Sequence, residues 1–208
     1  MSRKWIIRTV VAAALVLAAL VTLSACGGGS DDGDGDGSGL TGVAVVSERF
    51  QGLPQNGNTV GEPDAAVEVV EYGDMQCPFC ATAAETLTPQ ILDQIVRPGD
   101  AQLSFLPVAF IGPDSETGAL AALAAGSQDL TWPLVDIIYA NQGGENDGWL
   151  SESFVRDAAA AAGLDLAQFD DDQGSGTPHY VVRGPNGEQT FPGQPSIDEL
   201  VQAVQEVS

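Results

Sequence analysis

The feature that most constrains this chain is the run Cys-Pro-Phe-Cys at residues 77–80, which lies between a strand-like run and a helix-like run. Residues 66–72 are rich in valine and end before a Gly-Asp pair, so they predict a buried strand that closes in a turn. Pro78 suits the first position of a helix because it has no N–H group to leave unpaired. We therefore expect Cys77 at the N-cap, where free backbone N–H groups and the helix dipole favour a thiolate.

Cys80 follows on the same face of the predicted helix and can close a short disulfide with Cys77. Half of a zinc site is one alternative, but it needs two further ligands, and only His179 and carboxylates are available. A purely structural disulfide is another, although so short a loop would add only about 2 kcal/mol of stability. The spacing favours a redox-active pair and no metal.

The first 25 residues have the pattern of a secretory signal rather than a membrane span. An uncharged apolar run from Thr9 to Leu23 follows a basic start, and it is too short to cross a bilayer. It ends in Leu23-Ser24-Ala25-Cys26, which resembles the lipobox of bacterial lipoproteins. That resemblance implies cleavage before Cys26, lipidation of Cys26 and an extracytoplasmic chain anchored to the cell membrane. An uncleaved signal anchor is the alternative.

The number of cysteines and the net charge of the chain limit its possible functions further. Of three cysteines, one would be lipidated and two would form the pair, which leaves no odd thiol in an oxidising compartment. Residues 26–42 are rich in Gly, Ser and Asp and predict a flexible acidic tether. From Cys26 onward, the only cations are arginines, and they face 29 acidic residues, so we expect no nucleic-acid partner.

Residues 43–208 are expected to form one folded domain, since 44% of the chain is hydrophobic. The valine-rich run from Val43 to Phe50 predicts a first strand. A helix should run from Pro78 to about Val96, with a kink at Pro89. The remaining predicted elements are, in order, a strand at 102–110, helices at 115–127, 130–141 and 151–163, a strand from 177 to 182, a hairpin turn at 184–187, a strand at 188–191 and an amphipathic helix at 196–207.

This order of elements, together with four motifs, is similar to that of the DsbA-like family of bacterial thiol-disulfide oxidoreductases, over roughly residues 53–207. The motifs are Gly-Glu-Pro-Asp-Ala at 61–65, the active-site run at 70–80, Thr-Pro at 88–89 and Gly-Thr-Pro at 176–178. The resemblance implies an α/β, thioredoxin-like fold with an inserted α-helical subdomain at about 114–172.

The resemblance also implies roles for individual residues. Cys77 would attack the client and form the mixed disulfide, and Cys80 would be the buried resolving thiol. Glu71 matches a buried acid of the family that accepts the proton of the resolving cysteine, although an exposed strand glutamate is the alternative. Thr177 and Pro178 match a loop opposite the cysteines, in which the proline is cis and the preceding backbone pairs with the client.

Other residues near the motif are candidates or departures. Pro78 and Phe79 are expected to contact the client, and the most strongly oxidising relatives carry His in place of Phe79. His179 follows Pro178 and is expected to be a solvent-facing strand residue more than a group that tunes the thiolate. Residues 170–176 leave no room for the additional helix that relatives have at this point, so we expect a trimmed helical cap.

We therefore expect an extracytoplasmic thiol-disulfide oxidoreductase that needs no cofactor. Its partners would be secreted or cell-envelope proteins with thiols or disulfides. This interpretation also allows a membrane redox partner. Its reduction potential should lie between those of thioredoxin and DsbA, about −270 and about −120 mV. The alternative is a non-catalytic module that keeps the fold and binds extended peptides by β-augmentation.

Overall fold

The strand that leads to the cysteines belongs to a four-stranded sheet. A computed structural model describes residues 39–174, 179–192 and 194–208. The strands of this sheet are β1 (Gln55–Asn56), β2 (Thr59–Val60), β3 (Glu68–Gly73) and β4 (Gln102–Pro107), in the order β1-β2-β4-β3. β3 and β4 are parallel, and the other neighbours are antiparallel.

The first helix corrects a sequence prediction. Residues Val43–Phe50 form helix α1 rather than a strand. Its buried residues are Val43, Val46 and Phe50, whose spacing of three and four is the period of a helix, whereas Val45 is exposed. Valine content favours a strand only as a weak prior, and the packing of one helical face outweighs it.

The helix after the cysteines is interrupted, as its proline predicts. It consists of α2 (Pro78–Thr86), α3 (Thr88–Ile91) and a π-helical turn (Leu92–Val96). Pro89 lies at the break, where it removes one backbone hydrogen bond.

Four helices follow β4: α4 (Pro113–Gly126), α5 (Thr131–Ala140), α6 (Glu152–Ala162) and α7 (Leu166–Gly174). The prediction of a trimmed connection at 170–176 was wrong, because α7 occupies most of it. Asp165 begins this helix by accepting hydrogen bonds from the backbone N–H groups of Ala167 (2.9 Å) and Gln168 (3.0 Å). Phe169 is fully buried and fixes the helix to the domain.

Helix α5 is the centre of the core. All its residues from Thr131 to Tyr139 are buried. The Trp132 ring meets Phe105 of β4 edge to face, with centroids 5.6 Å apart, and its Nε1 donates to the Leu103 carbonyl at 3.1 Å. The sheet is thus held against a helix that runs directly below the cysteine pair.

The C-terminal part forms a hairpin and a helix, as predicted. Strands β5 (His179–Gly184) and β6 (Gly187–Pro192) pair as a two-stranded antiparallel sheet. Helix α8 (Ile197–Val207) opens with a capping box between Ser196 and Glu199. Within the described ranges, no helix is long and apolar enough to cross a membrane. The predicted signal peptide at 1–25 and Cys26 lie outside the described residues.

Candidate functional site

The cysteine pair lies at the start of α2, as the sequence predicts. Cys77 is the N-cap residue and Pro78 the first helical residue. The Cys77 carbonyl accepts hydrogen bonds from the N–H groups of Cys80 and Ala81, both at 3.1 Å. Both cysteines are half-buried, whereas Phe79 between them is 83% exposed. Phe79 is therefore open to a client.

Cys80 has surroundings that oppose its ionisation. Burial raises the pKa of its thiol to about 11, and the hydrogen bond with Cys77 and the charges of Cys77 and Glu71 act in the same direction. A hydrogen bond from the backbone of Asp74 opposes the shift. Cys80 therefore remains a neutral thiol at neutral pH and needs a base and hydrogen-bond donors to react.

Glu71 is placed where it can be that base. It lies on β3 opposite Phe105 of β4 and is half-buried, and burial raises the pKa of its carboxyl. Its charge acts on Cys80, on Tyr139 and on Asp136, so the carboxylate is a near neighbour of all three. Of the two alternatives for this residue, the half-buried carboxylate beside Cys80 is the arrangement suited to proton transfer.

Two side chains from α5, Tyr139 and Asp136, also lie near Glu71. Tyr139 is buried, its hydroxyl donates to the Asp74 carbonyl at 3.3 Å, and it lies close to the Cys80 thiol, which together with burial raises its pKa. Asp136 is buried and forms an ion pair with Arg49 of α1. Burial, aided by the charge of Glu71, raises the pKa of Asp136 to about 7 against the opposing effect of Arg49.

The loop between β3 and α2 is fixed by the buried carboxylate of Asp74. Its Oδ1 accepts from the Gln76 N–H (2.9 Å) and the Ser115 hydroxyl (2.6 Å), and its Oδ2 accepts from the N–H groups of Phe110 (3.0 Å) and Ile111 (3.1 Å). Burial raises the pKa of Asp74, but these four hydrogen bonds outweigh it and hold the pKa below its ordinary value.

The helical insertion also holds this loop. The Gln142 amide donates to the carbonyls of Met75 (2.9 Å) and Cys77 (3.1 Å). Gln76 in turn donates from its amide to the Ser115 hydroxyl at 2.8 Å and to the Asn146 side chain at 3.1 Å. The backbone around the cysteines is thus fixed from the insertion side.

A model of the family described as thioredoxin matches residues 54–183 of this chain, which is more than half of it. The chain belongs to this thioredoxin family. The match covers β3, the cysteine pair and the helical insertion.

Named relatives are similar to part of the chain. The probable disulfide bond formation protein D of Bacillus cereus is 38% identical over 99 residues, which cover 47% of this chain and 46% of that protein. The chain thus spans about half the length of the curated relatives it matches.

Two solved structures share the thioredoxin-like fold. Oxidised BdbD from Bacillus subtilis has a TM-score of 0.50 and 22% identity, over 74% of this chain and 96% of that one. DsbA from Chlamydia trachomatis has a TM-score of 0.51 and 16% identity, over 72% and 90%. The expected fold class is confirmed.

The structure brings together Cys77, Pro78, Phe79, Cys80 and Glu71 of the predicted site. Thr177 and Pro178 lie outside the described residues, and His179 is the first residue of β5. Across residues 39–174, 179–192 and 194–208, no group of three or more His, Cys, Asp or Glu side chains could hold a metal ion.

The sequence analysis missed Arg49, Asp74, Asp136 and Tyr139. One signal was available for Asp136, since it is the single charged residue in the otherwise apolar run 132–139. A lone carboxylate in a helix that is apolar on all sides must be buried, and a buried carboxylate requires a partner.

Proposed function

We propose that this chain is a thiol-disulfide oxidoreductase that exchanges disulfides with protein clients through Cys77 and Cys80. The observation that carries the proposal is the asymmetry of the pair. Cys77 caps a helix next to an exposed Phe79, whereas the pKa of Cys80 is about 11 and Glu71 lies close to it. One sulfur is presented to the client, and the other is held back for resolution.

In the oxidising direction, a client thiolate attacks the Cys77 sulfur and breaks the Cys77–Cys80 disulfide. Cys80 leaves with the electron pair and takes up a proton, which Glu71 is positioned to supply. A second client thiolate then attacks the client sulfur of the mixed disulfide and releases Cys77 as a thiolate. The client gains a disulfide, and the pair gains two electrons.

In the reducing direction, the same steps run backwards. The Cys77 thiolate attacks a client disulfide, and Cys80 must lose its proton before it can attack the Cys77 sulfur. Glu71 is the proposed acceptor for that proton, because it lies close to Cys80 and burial raises the pKa of its carboxyl.

The proposed place of action is outside the cytoplasm, at the cell membrane. The support is the signal-like run at 1–25 and the lipobox-like run that ends at Cys26. Relatives named disulfide bond formation proteins support clients with thiols or disulfides. Replacing Cys26 with Ser should abolish incorporation of labelled fatty acid and release the chain from the membrane. Label that still enters the Cys26→Ser protein would refute the anchor.

An equilibrium redox titration of the full chain in glutathione buffers tests the activity. We expect the pair to cycle at a potential between about −270 and about −120 mV, because Phe79 stands where the most oxidising relatives carry His. Cys80→Ser should accumulate a mixed disulfide after Cys77 attacks a client that contains a disulfide and the second client sulfur leaves as a thiolate, whereas Cys77→Ser should form none. A pair that does not cycle in these buffers would favour the non-catalytic peptide-binding module instead.

A further inference from the structure

Resolution of the mixed disulfide requires a thiolate at Cys80, in surroundings that oppose one. Burial, Cys77 and Glu71 all raise the pKa of Cys80. The cation Arg49 of α1 is paired with Asp136. A thiolate at Cys80 must therefore be stabilised by neutral hydrogen-bond donors, and the structure offers the Asp74 backbone and the Tyr139 hydroxyl.

The Tyr139 hydroxyl is held beside the sulfur by packing. Its ring meets Phe105 edge to face, with centroids 6.5 Å apart. The hydroxyl lies in the space that a side chain on Gly73 would occupy, since a Cβ there would be 2.6 Å from the Tyr139 oxygen and 2.6 Å from the Phe105 ring. Glycine at position 73 therefore allows the hydroxyl to approach Asp74 and Cys80.

Tyr139 has a single proton to donate and two acceptors for it. Its bond to the Asp74 carbonyl is 3.3 Å, which is long for a hydroxyl donor. A thiolate is a charged acceptor and forms the stronger bond, whereas the sulfur of a disulfide is a weak one. Burial, together with the charges of Cys80, Glu71 and Cys77, raises the pKa of Tyr139, so the phenol remains neutral and keeps its proton.

We propose that the Tyr139 hydroxyl is a catalytic hydrogen-bond donor that turns from the Asp74 carbonyl to the Cys80 sulfur when Cys80 becomes a thiolate. This inference rests on the proposed function. Glu71 accepts the proton of Cys80, and Tyr139 stabilises the charge that remains on sulfur. The sulfur–sulfur bond then forms between Cys80 and Cys77, and the client sulfur leaves with the electron pair.

The titratable groups that interact with Cys80 in the described residues are Cys77 at the N-cap of α2, Glu71 on β3 and Tyr139 on α5. Asp136 is linked to this set through the charge of Glu71 and is paired with Arg49. Replacing tyrosine with phenylalanine at position 139 removes only the hydroxyl from this set and keeps the ring against Phe105. The matched control is Tyr72→Phe, because Tyr72 lies on β3 next to Glu71 but is 65% exposed.

The test separates two steps in the full-length protein. Stopped-flow measurements follow first the reaction of Cys77 with oxidised glutathione and then the release of glutathione by Cys80, as a function of pH. Tyr139→Phe should slow the second step about 10-fold, the order of magnitude expected for a charge-assisted hydrogen bond, and leave the first within about twofold. Tyr72→Phe should change neither step.

An equal effect of Tyr139→Phe on both steps, or on neither, would overturn the proposal. If the wild-type protein forms no mixed disulfide, the proposed function itself fails, and this inference fails with it.

If the Tyr139→Phe protein does not fold, a second measurement tests the proposal. The chain has three tyrosines, so Tyr72→Phe with Tyr180→Phe leaves Tyr139 as the single site for biosynthetic 3-fluorotyrosine. A fluorinated phenol is a stronger donor and should speed the release step severalfold relative to the unlabelled double variant. An unchanged or slower release would contradict the proposal.

Discussion

Two buried aspartates, Asp74 and Asp136, differ in how their charge is stabilised. Asp74, at the end of β3, is 0% exposed and accepts four hydrogen bonds. Asp136, in α5, is 2% exposed and is paired with Arg49, while its Oδ1 has no hydrogen-bond partner within the part of the chain that the structure describes. The pKa of Asp74 is lowered, whereas that of Asp136 is raised to about 7.

The difference shows that burial alone does not set the ionisation of a carboxylate. Four hydrogen-bond donors replace the water that the Asp74 carboxylate loses on burial, so its charged form is favoured. One guanidinium leaves half of the Asp136 carboxylate unsatisfied, and Glu71 adds a like charge. Asp74 is therefore suited to holding the loop, whereas Asp136 is suited to responding to the protonation of the site.

The largest expected effect follows from removing the Asp74 carboxylate. Asp74→Ala leaves four donors without a partner and should lower the free energy of unfolding by about 3–5 kcal/mol. Denaturant unfolding measures this loss. Asp157→Ala, at an exposed position on α6, is the control and should change stability by less than about 0.5 kcal/mol. If Asp74→Ala lowered the free energy of unfolding no more than Asp157→Ala does, the proposed difference between the two aspartates would not hold.

The second prediction concerns the ion pair. Arg49→Met leaves Asp136 without its cation and also removes the bond from Arg49 to the Ala84 carbonyl at 3.0 Å. We expect a loss of about 2–3 kcal/mol, less than for Asp74, because Asp136 can take up a proton. Combining Arg49→Met with Asp136→Leu should restore stability to within about 1 kcal/mol of the wild type, since no unpaired charge remains. A double variant as unstable as Arg49→Met would contradict this account.

The third prediction is that the two aspartates have opposite effects on stability as pH changes. The folded pKa of Asp136 is raised, so its contribution is present below its unfolded pKa of about 3.9 and is lost as pH rises through about 7. The advantage of wild type over Asp136→Asn should therefore shrink by on the order of 2 kcal/mol between pH 5 and pH 8.

The folded pKa of Asp74 is lowered, so its contribution is present above its unfolded pKa and is lost as pH falls through the folded pKa. The advantage of wild type over Asp74→Asn should be constant above about pH 5 and decrease below about pH 4. Unfolding curves at each pH measure both differences. If the stability difference from wild type changed with pH in the same direction for both variants, the opposite pKa shifts of the two aspartates would be refuted.

The smallest expected effect concerns Glu71, whose charge acts on Asp136 and on Cys80. Glu71→Gln removes the proposed proton acceptor of Cys80 and should slow the release step about 10-fold, on the order of 1.4 kcal/mol of barrier. The equilibrium reduction potential should change less, because a base acts on the rate of proton transfer. A potential that moves while the release rate does not would assign Glu71 an electrostatic role only.

Much of the local structure around the cysteines could be predicted from the chain itself. Cys77 at the N-cap with Pro78 after it, the break at Pro89 and the capping of α8 by Ser196 all depend on neighbours within a few positions. The same local rules failed at α1, where valines suggested a strand. The choice there depends on which face is buried, and the run of eight residues does not contain that information.

The sequence by itself determined the chemistry of the pair, the start of its helix and the presence of an acid six positions before Cys77. Only the tertiary structure decided which groups surround Cys80. Arg49 and Asp136 are 87 positions apart and Tyr139 and Asp74 are 65 apart, and they meet because α1 and α5 pack beneath α2. A pKa depends on burial and on the neighbours within a few ångströms, and packing between distant segments sets both.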